Sequence, residues 1–163
     1  MTIKQDVQQE MEQTRVRFLA LVNSIPESDY SLPTKNSAWA VGDVLHHITL
    51  GPRSLAYEIW MVVHLPGLYQ FGMKFFPSKL LNQVNARFAK RGEQVNRQSL
   101  IKAYGKAHAA IRSRLRRTRE VDFSKSVTYP VHFISELSGE VSVERLFRYV
   151  KKHYEIHAEQ LGK

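Results

Sequence analysis

Residues 142–161 read SVERLFRYVKKHYEIHAEQL, and the period of this stretch decides the architecture. Leu146, Phe147, Val150, Tyr154 and Leu161 recur at the spacing of one helical face, whereas Glu144, Arg148, Lys152, Glu155 and Glu159 fall opposite. Ser142 stands where a helix start needs an oxygen to cap its free N–H groups. A helix from Val143 to Leu161 with a single apolar stripe has to bury that stripe against other elements.

Three further stretches offer matching stripes. One runs from about Ile3 to Asn23, with Ile3, Val7, Met11, Phe18, Leu21 and Val22 on one face, and stops at Asn23-Ser24-Ile25-Pro26. A second follows Trp39, carries Val41, Val44, Leu45, Ile48, Leu55, Ile59 and Val62, is expected to kink at Gly51-Pro52, and ends before Pro66. A third runs from about Gln98 to Arg119, with Tyr104, Ala107, Ile111 and Leu115 inward and an Arg-rich end that complements the helix dipole. Residues 64–97 are too long for a tight turn and predict a crossover with one or two short helices. Val127 to Ile134 could be extended, but nothing supports a large sheet. The expectation is an all-α protein: one domain over 1–163, a four-helix bundle with a long crossover between its second and third helices.

Composition narrows the chemistry. With 163 residues, 43% of them hydrophobic, the chain suits a single folded core and not intrinsic disorder. It has no cysteine, which excludes disulfides, thiolate metal sites, iron–sulfur clusters and cysteine nucleophiles, so any metal falls to His, Asp or Glu. The most apolar stretch, Ile59 to Met73, is shorter than the roughly 18 residues of a spanning helix and is broken by Pro66-Gly67. The opening MTIKQDVQQEMEQTR lacks an apolar signal region, so a cytoplasmic location is expected.

The net charge of +9 admits nucleic acid, anionic lipid or an acidic small molecule as partner. Arg112, Arg114, Arg116, Arg117 and Arg119 occupy nearly every angle of their helix outside the apolar stripe, which argues against a nucleic-acid reader with one basic face. The apolar connection from Trp60 to Phe76 admits a lid, a dimer patch or a membrane-touching surface, and a cover over the core or a dimer contact is the simpler expectation.

The histidines carry the candidate chemistry. His153 and His157 lie four apart, hence on one helical face with Cβ atoms about 6 Å apart, and they fall within the arc of Leu146, Val150 and Leu161. On the second helix His47 sits near Val44, Gly51 and Glu58, while His46 is about 100° further round on the polar side. Three inward imidazoles form either a metal triad or core histidines satisfied by hydrogen bonds, and spacing leaves both open. Glu58 lies three turns beyond His47 on nearly the same face, as an acid that orients the imidazoles, a pocket acid, or a solvated carboxylate. His108, beside Tyr104 and Ile111, either lines a pocket or fills the core. His64 and His132 have no partner at ligand spacing, and Asp43 and Glu155 read as surface charges.

Two blocks of sequence resemble a known family. Trp39-Ala40-Val41-Gly42-Asp43-Val44-Leu45-His46-His47-Ile48 is similar to the second-helix signature of the DinB-like (DinB/YfiT) superfamily, a tryptophan followed eight residues later by a ligand histidine. His153-Tyr154-Glu155-Ile156-His157-Ala158-Glu159-Gln160-Leu161 resembles the family's closing H-x-x-x-H helix. The resemblance implies a helical bundle, often dimeric, in which three histidines bind a divalent metal at one end. It makes His47, His153 and His157 the ligands. It also implies a small-molecule substrate and a homodimer, since described relatives transfer or isomerise substrates with low-molecular-weight thiols. Where the family often has serine after the tryptophan, this chain has Ala40, so with Asp43 only half a capping box remains unless Asn36 or Ser37 caps instead.

An all-imidazole set suits zinc, nickel or ferrous iron and leaves positions open for a thiolate or for a water of lowered pKa. The expected function is a metal-dependent enzyme, a thiol-dependent transferase or isomerase, with hydrolysis as the water-based variant. Its alternatives are a non-catalytic small-molecule-binding bundle and a basic protein acting on nucleic acid or anionic surfaces through Arg112 to Arg119.

Overall fold

Thr2 and Gln5 exchange bonds, Gln5 N–H donating to Thr2 Oγ1 at 3.3 Å and Thr2 N–H to Gln5 Oε1 at 2.9 Å, and this reciprocal cap starts α1 (Ile3–Ser24). Helix α2 (Val41–His64) starts on half of that device, because Ala40 has no side-chain oxygen and only Asp43 Oδ2 accepts from the Ala40 N–H, at 3.0 Å. Asp43 is thereby drawn in to 6% exposure, a correction to its expected place on the surface. The helix continues through Gly51-Pro52. Pro52 lacks the N–H that would reach the Ile48 carbonyl, so one ladder bond is missing at that turn.

The structure, a computed structural model, describes residues 2–35, 38–75, 95–134 and 136–162, without the side chains of 131–134. After α2 come α3 (Pro66–Phe75), α4 (Arg97–Arg117), strands β1 (Ser126–Ile134) and β2 (Leu137–Ser142), and α5 (Val143–Gln160). Asn96 caps α4, accepting from the Ser99 N–H at 2.8 Å, and Ser142 caps α5 as expected, accepting from the Arg145 N–H at 3.2 Å. The expected crossover helix is represented by α3; its continuation, the Lys79 to Arg91 stretch, and the alternative caps Asn36 and Ser37 lie outside the described residues.

Helices α1, α2, α4 and α5 each pack on two of the others, α2 on α4 and α5, α1 on α4 and α5. Their buried residues fall into two clusters. One joins Val7, Met11, Ile59, Val62, Ile111, Leu115, Leu146 and Phe147. The other joins Phe18, Leu21, Val22, Val44, Leu45, Ile48, Leu100, Tyr104 and Ala158. The start of α1 therefore meets the ends of α2 and α4 and the start of α5, so α2 and α4 run in the same direction. Consecutive long helices that run parallel require the chain to travel back between them, which is why the connection is long.

Beyond the expected helices there is a two-stranded antiparallel hairpin. It pairs Val127 with Val141 and Tyr129 with Gly139, the latter at φ 70°. The extended reading of 127–134 thus finds a partner in 137–142. Val127, Tyr129, Leu137 and Val141 are buried in the first cluster, so one face of the hairpin closes that end of the core. The apolar connection covers the core only in part. Met73 is buried on α3, while Leu68, Phe71 and Phe75 are 61%, 64% and 65% exposed. No helix among the described residues is long and apolar enough to cross a membrane.

Candidate metal centre

His47, in the second turn of α2, and His153 and His157, in the last turns of α5, meet at the end of the core built by the second cluster. Their spacing on two helices that pack on each other brings the rings together without any loop. His47 Nε2 and His153 Nε2 are 3.2 Å apart, and one nitrogen from each of the three lies within 4.8 Å of the others. Ring centroids are 5.0 Å apart for His47 and His153, 4.5 Å for His47 and His157, and 4.6 Å for His153 and His157.

This donor set can be tested against a metal's needs. Two ligands at a zinc–nitrogen length of about 2.0–2.1 Å in tetrahedral geometry stand about 3.3 Å apart. The 3.2 Å spacing of the two Nε2 atoms fits that figure. Ligation also demands unprotonated nitrogens. Burial, then the neighbouring His157 and His46, push the His47 pKa down to about 3. Burial and the other two imidazoles hold His153 well below the usual histidine range, and burial lowers His157 despite its bond to Gln160. All three are therefore neutral at pH 7.

The surroundings orient the rings. Gln160 Oε1 lies 3.1 Å from His157 Nδ1, and an amide oxygen only accepts, so the proton sits on Nδ1 and the Nε2 lone pair is left free. Trp39 contacts His47 edge-on at 4.8 Å and stacks on His157 at 5.9 Å, walling one side with an indole. Gly51 makes room on another side: a Cβ there would stand 2.6 Å from His153 Nδ1, so the imidazole lies directly on the α2 backbone. Tyr149, one turn before His153, has its ring 6.1 Å from that imidazole.

The other sequence candidates stand elsewhere. Glu58 does not bond to an imidazole; its Oε1 accepts from the hydroxyls of Tyr69 on α3 and Tyr129 on β1, which are themselves 3.0 Å apart. His108 is buried between α4 and α1, its Nε2 3.4 Å from Glu12 Oε2 and its ring stacked on Tyr104, and it belongs to the packing of those helices. His64 is exposed beside Trp60, and the His132 side chain lies outside the described residues. Among the expected arginines, Arg114 donates to the Ala56 carbonyl at 3.1 Å and Arg119 is tied to Asp122 at 2.9 Å, so two of the five serve local structure. Gly51, Gln160, Tyr69 and Tyr129 were not among the expected site residues. A glycine facing the imidazole stripe, one turn from His47, was the legible signal for the first.

The chain is similar to known proteins in family and in fold. The family model described as the DinB superfamily matches residues 10–161. By sequence search, no curated protein matches the chain. Two solved structures share its fold, the mycothiol-dependent maleylpyruvate isomerase and a histidine-to-alanine mutant of it, each at a TM-score of 0.70 and at 12% and 11% identity respectively. The match covers 99% of this chain and 63% of those chains, so this chain spans less than two thirds of their length.

Proposed function

The chain belongs to the DinB superfamily, and from that premise we propose that it is a metal-dependent enzyme whose three histidines, His47, His153 and His157, hold one divalent ion. The single observation carrying this reading is the convergence of three neutral imidazole nitrogens within 4.8 Å. The chemistry of the donors suits zinc, nickel or ferrous iron. We read the four long helices as a four-helix bundle closed by a crossover, and the reaction as a thiol-dependent transfer or isomerisation on a small molecule. The thiol-dependent neighbour sharing the fold supports that choice. A homodimer and a cytoplasmic setting go with the reading.

When bound, the ion would supply Lewis acidity that stabilises a thiolate at neutral pH. The chain's own residues do the rest. Burial keeps each imidazole deprotonated, so ligation has no proton to displace inside the site. Gln160 fixes the tautomer of His157, and Gly51 lets His153 reach its place on α2. Trp39 packs against His47 and His157, and His153 and His157 keep partial exposure.

The test is elemental analysis of protein purified without a polyhistidine tag, beside a His153→Ala/His157→Ala variant of equal helicity. Near-stoichiometric metal in the wild type and none in the variant is expected. A wild type that stays empty after incubation with zinc, nickel, manganese and ferrous iron overturns the reading.

A further inference from the structure

Glu58 is the buried group that the metal site leaves unused. The chain has 24 Lys and Arg against 15 Asp and Glu, yet among the described residues only part of its carboxylates form ion pairs, and the buried Asp43 forms none. Glu10, Glu12, Glu144, Glu155 and Asp122 each lie within 4.0 Å of an arginine or lysine. Glu58 has no such partner among the described residues: its carboxyl meets only phenols, Tyr69 and Tyr129 through hydrogen bonds. Burial, then the carboxylates of Glu136 and Glu58, push the Tyr149 hydroxyl up to about 12. A carboxyl in an aromatic surround, without a cation, is costly as an ion and is held above its ordinary range by burial, although the two phenol bonds work against this.

The cluster also adjoins the histidines. Glu58 is seven residues beyond Gly51 on α2, which is two turns or about 10 Å along the helix. Gly51 lies against His153, and Tyr149 bridges the gap with its ring 6.1 Å from the His153 ring. His157, His153, Tyr149, Glu58 and Tyr69 are half-buried, whereas Tyr129 is fully buried.

We infer that Glu58, with Tyr69 and Tyr129, forms a recognition site for an ammonium group, and that the substrate of the metal centre carries a cationic amine on the side of the metal-held atom that lies towards Glu58, two turns along α2 from Gly51. The carboxyl supplies the counter-charge and the phenol rings supply faces that attract cations. An arriving ammonium completes an ion pair that no lysine or arginine among the described residues supplies. The place of the amine on the substrate rests on the metal reading given above, whereas the ammonium site itself does not.

The experiment measures binding of two thiols to the cobalt-substituted full-length protein, through the thiolate-to-cobalt absorption: 6-aminohexane-1-thiol and its neutral counterpart 6-hydroxyhexane-1-thiol. The aminothiol is expected to bind at least tenfold more tightly. In Glu58→Gln, which keeps an acceptor for both tyrosines, the two thiols are expected to bind alike and the hydroxythiol to bind as in wild type. Equal affinities in the wild type overturn the inference and leave the metal reading standing. If neither thiol binds cobalt, the metal–thiol reading fails and the inference is decided on metal-free protein with n-hexylamine against n-hexanol. Amine-specific thermal stabilisation that disappears in Glu58→Gln upholds it, and no difference between the two overturns it.

Discussion

Replacing Gly51 by alanine separates the metal site from the fold. The added Cβ would stand 2.6 Å from His153 Nδ1 and 2.8 Å from its Cε1. Ordinary carbon–nitrogen contact is near 3.4 Å or more, so the imidazole must retreat by about 0.8 Å or turn, whereas ligand distances tolerate about 0.2 Å. The site is left with two well-placed histidines, and an affinity loss of about 100-fold is expected, the upper end of what misplacing a ligand's support costs. The metal-free fold should respond differently. Alanine within a helix is favoured over glycine by about 0.5–1 kcal/mol, which offsets the strain of moving one half-buried ring. Competition for zinc against a chromophoric chelator gives the affinity, and urea unfolding of the metal-free protein gives the stability. Zinc affinity within threefold of wild type would refute the claim that Gly51 places His153.

Three further outcomes follow from the same geometry. Gln160→Ala frees the His157 ring and should weaken zinc binding about tenfold, measured by the same competition, with thermal stability nearly unchanged. Asp43→Ala removes the acceptor of the Ala40 N–H and should lower stability by about 1 kcal/mol, seen as a fall of about 3 °C in Tm. In the metal-free protein the three imidazoles are held below their unfolded pKa, so the unfolded chain takes up protons first and acid favours it. Their contribution is present above about pH 6.5 and is lost as pH falls, for His47 down to about pH 3, so stability in urea titrations should fall as pH drops below 6.5. The His153→Ala/His157→Ala variant should flatten that slope, and an unchanged slope would show that these rings do not titrate with unfolding.

How much of this was legible depends on whether a feature is written along one helix or between several. His153 and His157 share a face because they are four apart, and His47 differs from His46 by a rotation that the stripe of Val44, Leu45 and Ile48 fixes. Those three positions follow from period alone, and the structure brings them within 4.8 Å. Gly51 also sits on that face, but reading it beside Pro52 suggested a kink, because sequence does not say which side chain crosses over it from α5. The hairpin was half legible for a related reason. Val127 and Tyr129 alternate with polar residues, whereas Leu137, Gly139 and Val141 need β1 opposite them to make a buried face.

Glu58 shows the limit most clearly, since its face was read correctly while its partners come from α3 and β1, elements that α2 gives no information about. For a carboxylate three turns from His47, the sequence leaves open an acid that steadies an imidazole, a pocket acid and a solvated carboxylate. The geometry gives the steadying task to Gln160, through a bond three residues away on the same helix, and to the indole of Trp39. Glu58 is left free of the ligands and, like the buried Asp43, free of any lysine or arginine among the described residues. Its two phenol bonds tie α2 to α3 and to β1.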